Sequence, residues 1–202
     1  MTVAVVAYTV GMSRWKPDAQ SRLAHAALEL YGERGFEQTT VAEIAQRAGL
    51  TERTFFRHFA DKREVLFGGA NSLEEMLVCA VTSAPHSTAP IDAIAAALEA
   101  AAASVLFQQE RHDYARQRQA IIATNTGLQE RELIKLASLS AALAESLRQR
   151  GVREPAASLA AEAGIVVFRV AFERWVSDDN HVDLSHLIRD SLDELKAVIA
   201  GA

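Results

Sequence analysis

Arg53, Thr54, Arg57 and His58 stand in one short run, TERTFFRHFADK, and each carries a side-chain hydrogen-bond donor. Guanidinium, hydroxyl and imidazole groups clustered in this way suit two tasks. They can make charge-assisted contacts to phosphate oxygens, and they can donate to the exposed edges of bases. Arg57 is the best candidate for reading a base, because a guanidinium matches guanine O6 and N7 as a bidentate fork. Phosphate binding is the alternative for the same side chain.

Such donors are useful only if something rigid aims them, and the flanking residues supply that. Thr40 and Glu43 form a T-x-x-E capping pair, able to satisfy two orphan amides at a helix start. Val41, Ile44, Ala45 and Ala48 then recur at helical spacing, one apolar face about two turns long. Gly49 follows, where a residue with positive φ ends a helix cheaply. Thr51 can cap a second helix, whose Phe55 and Phe59 lie four apart on its inner side, with Leu50 in the corner. Glu52, Arg53, Thr54, Arg57 and His58 are left outward or partly so. Two short helices, a tight corner with glycine and a polar second helix describe a DNA-binding helix-turn-helix. A helical hairpin in an all-α core has the same inner spacing. The outer face separates the two, since a merely solvated face would alternate Glu and Lys.

The whole chain fits this frame. Its 202 residues suit one or two small domains, half of them are apolar, and prolines are few. No apolar run approaches about 18 residues, so no membrane span is expected. The opening MTVAVVAYTV lacks a basic region ahead of it, so it reads as an unstructured extension rather than a secretory signal, and Met12 offers a second start. The lone Cys79 permits no internal disulfide and fits a reducing cytoplasm. The net charge of −5 is unevenly spread. Residues 1–67 carry nine Lys and Arg against eight Asp and Glu, and the remainder carries twelve against eighteen. Nucleic acid is therefore expected at the N-terminal end only. Arg14, Trp15 and Lys16 form a basic arm that either follows a phosphate backbone or enters a minor groove, or else is a frayed terminus.

The run ERGFEQTTVAEIAQRAGLTERTFFRHFADKREVLF resembles the N-terminal domain of the TetR family of bacterial transcriptional regulators. The likeness runs from about Asp18 to Phe67 and rests on the G-F-x-x-T-T lead-in, the I-A-x-x-A-G turn and the T-x-x-T-F-F-x-H-F-x-x-K segment in this order. It implies an all-α fold, with a three-helix DNA-binding domain over residues 14–67 and an all-α effector-binding and dimerisation domain over 68–202. By position it implies DNA contacts from Thr40, Thr51, Arg53, Thr54, Phe56, Arg57, His58 and Lys62, with Lys62 opening a fourth helix. Phe56 departs from the pattern, since the family usually carries a tyrosine there whose hydroxyl reaches the backbone. Gly68 and Gly69 then either hinge a connecting helix or form a simple loop.

From Ile91 onward the chain reads as helix. A leucine series runs through Leu133, Leu136, Leu139, Leu143 and Leu147, and the segments 155–177 and 184–200 are apolar enough to be buried on more than one side. The resemblance implies a homodimer through these last two helices, two readers about 34 Å apart on a palindromic operator, and release by a small-molecule effector. Phe107, Tyr114, Arg118, Ile121, Leu136, Phe168 and Phe172 are the candidate lining of its site, with Arg118 as an anion anchor; ordinary core packing is the alternative for each. No phosphate-binding glycine loop, H-E-x-x-H, paired cysteine or nucleophile elbow is present, so neither an enzyme nor a cofactor is expected. Asp178, Asp179, His181 and Asp183 can be read as metal ligands or as a polar loop ending in a helix cap; the loop is preferred and no metal is expected. A second reading of the chain is an all-α binding protein that keeps the helix-turn-helix shape without an operator.

Overall fold

The computed structural model describes residues 18–104, 107, 112–177 and 182–201. Met12, the Arg14–Lys16 arm and the polar residues Asp178, Asp179 and His181 lie outside the described residues. Those described form helices and turns, with no strand among them.

The N-terminal unit is built by short-range capping. Asp18 accepts a hydrogen bond from the Ser21 amide at 2.7 Å and starts α1 (Ala19–Arg34). Gly35, at φ 86°, ends it in a conformation that only glycine adopts cheaply. Thr40 and Glu43 close the expected reciprocal cap on α2 (Val41–Arg47). Gly49 turns the corner at φ 65°, and the guanidinium of Arg22 bonds the Ala48 carbonyl that α2 leaves without a helical partner. Thr51 caps α3 (Glu52–His58) through the Thr54 amide. Leu23, Leu30, Ile44 and Phe55 are fully buried between these three helices, and Phe36 plugs the edge against Tyr31. Arg47 spans Glu29 and Glu33 of α1 from the end of α2. These pairs are largely solvated and set orientation more than stability.

After α3 comes a single 3₁₀ turn, Glu64–Phe67, where a longer α-helix was expected. Gly68 and Gly69 keep right-handed helical angles and lead into α4 (Ala70–Ser83), so the two glycines soften the element without reversing it. By length and mean hydropathy the stretch Glu64–Ser83 passes for a membrane span. Within it Val65, Leu66, Phe67, Leu77 and Val81 are buried in the protein, and Leu73 and Met76 pack against the C-terminal core.

The C-terminal unit comprises α5 (Pro90–Ala102), α6 (His112–Ala123), α7 (Thr126–Gln149), α8 (Ala156–Ser177) and α9 (Leu184–Ala200). α8 packs on α5, α7 and α9, while α4 covers α5 and α7. α5 is alanine-rich because α8 comes very close. A Cβ on Gly164 would stand 2.4 Å from Ile94 Cγ2. α5 ends at Ala102, so the helix that begins near Ile91 stops after 13 residues. Asp183 occupies the cap position of α9 but makes no side-chain capping bond.

Two expectations about packing fail. Leu133 repeats at core spacing yet is 58% exposed, because α7 turns that side, with Ile134, away from α4 and α8. Ile121 does not belong to the C-terminal core. With Ile122 and Leu128 it enters the N-terminal core beside Leu23, Tyr31 and Phe67, so the end of α6 and the start of α7 complete the first unit.

Candidate nucleic-acid interface and interior cavity

The inner side of α3 holds Phe55 and Phe59 in the core, so its outer side is fixed in direction. Arg53, Phe56, Arg57 and His58 project from it into solvent, and Thr54 is half-buried. The Thr54 hydroxyl lies 3.1 Å from that of Thr51. Arg57 comes within 3.5 Å of His58 Nε2, too long for a firm bond. Phe56 is 55% exposed on the same side of this seven-residue helix.

The remaining cations of this unit are already committed. Arg22 holds the Ala48 carbonyl, Arg34 pairs with Glu43, Arg47 with Glu29 and Glu33, and Arg63 with Asp61. Lys62 does not open the fourth helix. It sits in the preceding turn, where its ammonium donates to the carbonyls of Phe36 (2.9 Å), Thr39 (3.2 Å) and Glu37 (3.3 Å) and covers the Phe36 ring. All three of its protons are thus engaged internally, and Tyr31 donates to the Lys62 carbonyl at 2.6 Å. Thr40 spends its hydroxyl in the capping box, donating to Glu43 at 2.8 Å. Among the described residues of the first unit, Arg53 and Arg57 are the Lys and Arg side chains with neither a carboxylate nor a carbonyl partner. Both are on α3.

A cavity of about 700 Å³ opens between the two units, walled by α1, the 3₁₀ turn, α4, α6, α7 and α8. Phe107, Tyr114, Arg118, Leu136, Phe168 and Phe172 line it; Ile121 does not. Phe168 and Phe172 stack at 5.8 Å, and Phe107 meets both edge-on. Arg118 is on this wall but is not a free anion anchor. It donates to the Leu66 carbonyl at 2.6 Å, pairs with Glu132 at 3.4 Å and lies over Phe67. Burial holds its guanidinium below the ordinary value, against the pull of Glu132.

Two contacts that tie the units together have no local signature in the sequence. Glu64, on the 3₁₀ turn, pairs with Arg131 and with Lys135 (3.1 Å) of α7, and Arg118 reaches back to the same turn. Burial pushes the Glu64 carboxyl up, but hydrogen bonds and charge from Arg131 and Lys135 outweigh it and hold the group below its usual range. Among the described residues no cluster of His, Cys, Asp and Glu is arranged to hold a metal ion.

Residues 23–67 match the model for bacterial regulatory proteins of the tetR family, and residues 88–200 match the MftR C-terminal domain, a TetR C-terminal model. The chain belongs to the TetR family of bacterial regulatory proteins. It is 37% identical over 81 residues to the HTH-type transcriptional regulator TcmR of Streptomyces glaucescens, a match covering 40% of this chain and 36% of that one. The matched segment thus spans about a third of that relative's length. Among solved structures, a putative transcriptional regulator from Pseudomonas aeruginosa PAO1 superposes with a TM-score of 0.60 at 18% identity, over 96% of each chain. The SmeT–triclosan complex gives 0.60 at 20% identity, over 89% of this chain and 90% of that one. SmeT is described as the repressor of the Stenotrophomonas maltophilia multidrug efflux pump SmeDEF. At these identities the likeness is one of fold. These relatives are regulators and not enzymes.

Proposed function

We propose that this protein is a cytoplasmic transcriptional repressor that binds a palindromic operator as a homodimer and is released by a small molecule held in the interior cavity. The observation that carries this reading is the pattern of committed cations. A unit that pairs Arg34, Arg47 and Arg63 with carboxylates and ties Arg22 and Lys62 to backbone carbonyls, yet leaves Arg53 and Arg57 with neither on one helix face, keeps those two available for an outside acceptor. Thr51, Thr54, Phe56 and His58 share that face, and Thr40 stands at the start of the helix before it.

Exposed Leu159, Val166 and Val170 recur along one side of α8, and Val198 and Ile199 end α9. This apolar surface supports pairing of the last two helices across a two-fold axis, which would set two α3 helices one DNA turn apart. The cavity volume lies in the range that small ligands occupy, and the SmeT complex with triclosan supports assigning it to an effector.

The test is fluorescence anisotropy with duplex from the protein's own promoter region, across a salt series. Saturable binding above random duplex, falling steeply with salt, supports the reading. Arg57→Ala is expected to abolish the preference for the promoter duplex while leaving the helical circular dichroism unchanged. If Arg57→Ala binds promoter DNA as the parent does, the assignment of α3 as reader is wrong.

A further inference from the structure

The charges on the cavity wall are unequally committed. Its three strong bases are engaged to different degrees: the buried Arg118 pairs with Glu132, Lys135 shares Glu64 with Arg131, and the half-exposed Arg169 stands 4.0 Å from the exposed Glu173. Asp18 is held by the Ser21 amide. Glu74 of α4 is different. It is half-buried on the same wall, and no hydrogen bond or ion pair engages it among the described residues. The apolar part of the wall is supplied by Phe107, Phe168 and Phe172, rings whose faces carry partial negative charge.

These features favour one sign of ligand. An anion bound in the buried part of the cavity must take Arg118 from Glu132, leaving that carboxylate uncompensated in a partly desolvated place. A cation meets the idle carboxylate of Glu74 and the faces of the phenylalanines, and breaks nothing. We propose that the cavity selects organic cations bearing aromatic or bulky apolar groups, with Glu74 as the counter-charge. This rests on the effector reading above and adds the charge and shape of the effector.

Tetraphenylphosphonium and tetraphenylborate have the same four phenyl groups and opposite charge, so they isolate the sign. The readout is emission from Trp175, whose ring lies 6.1 Å from Phe107. The full chain is used, with Trp15→Phe removing the other of its two tryptophans, and equilibrium dialysis serves as a second measure. The phosphonium is expected to bind at least about tenfold more tightly, or about 1.4 kcal/mol. Glu74→Gln should remove most of that preference, and the exposed neighbour Glu75→Gln should keep it. Equal or tighter borate binding, or an unchanged preference in Glu74→Gln, overturns the charge assignment and leaves the effector cavity standing. If neither ion binds by either measure, the effector reading of the cavity falls as well.

Discussion

Replacing Glu64 with glutamine removes one negative charge from the joint between the units and little volume. The carboxylate has only 17% of its side chain exposed and faces two cations, Arg131 and Lys135, which are 35% and 27% exposed. At the 3.1 Å separation from Lys135, an effective dielectric of about 20 gives a gross attraction of about 5 kcal/mol. Desolvation of the three groups offsets much of that. Exposed pairs contribute about 0–1 kcal/mol, and breaking a buried pair costs about 3–5 kcal/mol. This site lies between, so Glu64→Gln is expected to destabilise by about 2 kcal/mol at neutral pH. The assay is urea unfolding at one fixed protein concentration, because a dimer of the proposed kind would couple stability to concentration. A double-mutant cycle with Lys135→Met then isolates the pair. The pH dependence gives an independent check. The folded carboxyl titrates below its ordinary 4.5, so its stabilisation is fully present above that value and is lost as pH falls through the lower, folded value. Parent and variant should therefore converge in acid. A neutral-pH difference under about 0.3 kcal/mol with no coupling to Lys135 would refute the joint as a source of stability.

Gly164→Ala should cost about 2 kcal/mol by thermal denaturation, since its Cβ would meet the stiff β-branch of Ile94; adding Ile94→Ala should cost less than the sum of the two changes. Lys62→Met should lower the melting temperature, through loss of three carbonyl contacts, while leaving the salt slope of DNA binding unchanged. A slope reduced by about one would make Lys62 a phosphate contact instead. Val166→Asp should yield a monomer by light scattering if the exposed side of α8 is the pairing surface, and a retained dimer would move that surface elsewhere.

The reader unit was legible because the signals that build it are local. Thr40 with Glu43, Gly49, Thr51 with Thr54, and Phe55 with Phe59 all act within four residues, and the structure uses each as the spacing implies. Of the seven residues expected to line a cavity, Phe107, Tyr114, Arg118, Leu136, Phe168 and Phe172 border one and Ile121 does not. Spacing does not say which core a face enters. Ile121 fits the pattern of α6 and goes to the other unit. Leu133 fits the pattern of α7 and faces water. Partners distant in sequence were not legible at all. Arg118 looked free until Glu132 and the Leu66 carbonyl met it. Lys62 looked like a phosphate contact until the turn at Phe36–Thr39 folded under it.

The placement of Ile121, Ile122 and Leu128 among the residues of the first unit bears on how regulators of this build can be recombined. A graft that moves residues 18–67 alone onto a foreign sensor strips three aliphatic side chains from the head's interior and leaves Tyr31 and Phe67 facing whatever the new host presents. A transferable head consists of two stretches of chain, 18–67 and the α6–α7 corner, which must be exchanged together. The two units of this protein therefore share a core, and a cut between them along the chain is not a cut between them in space.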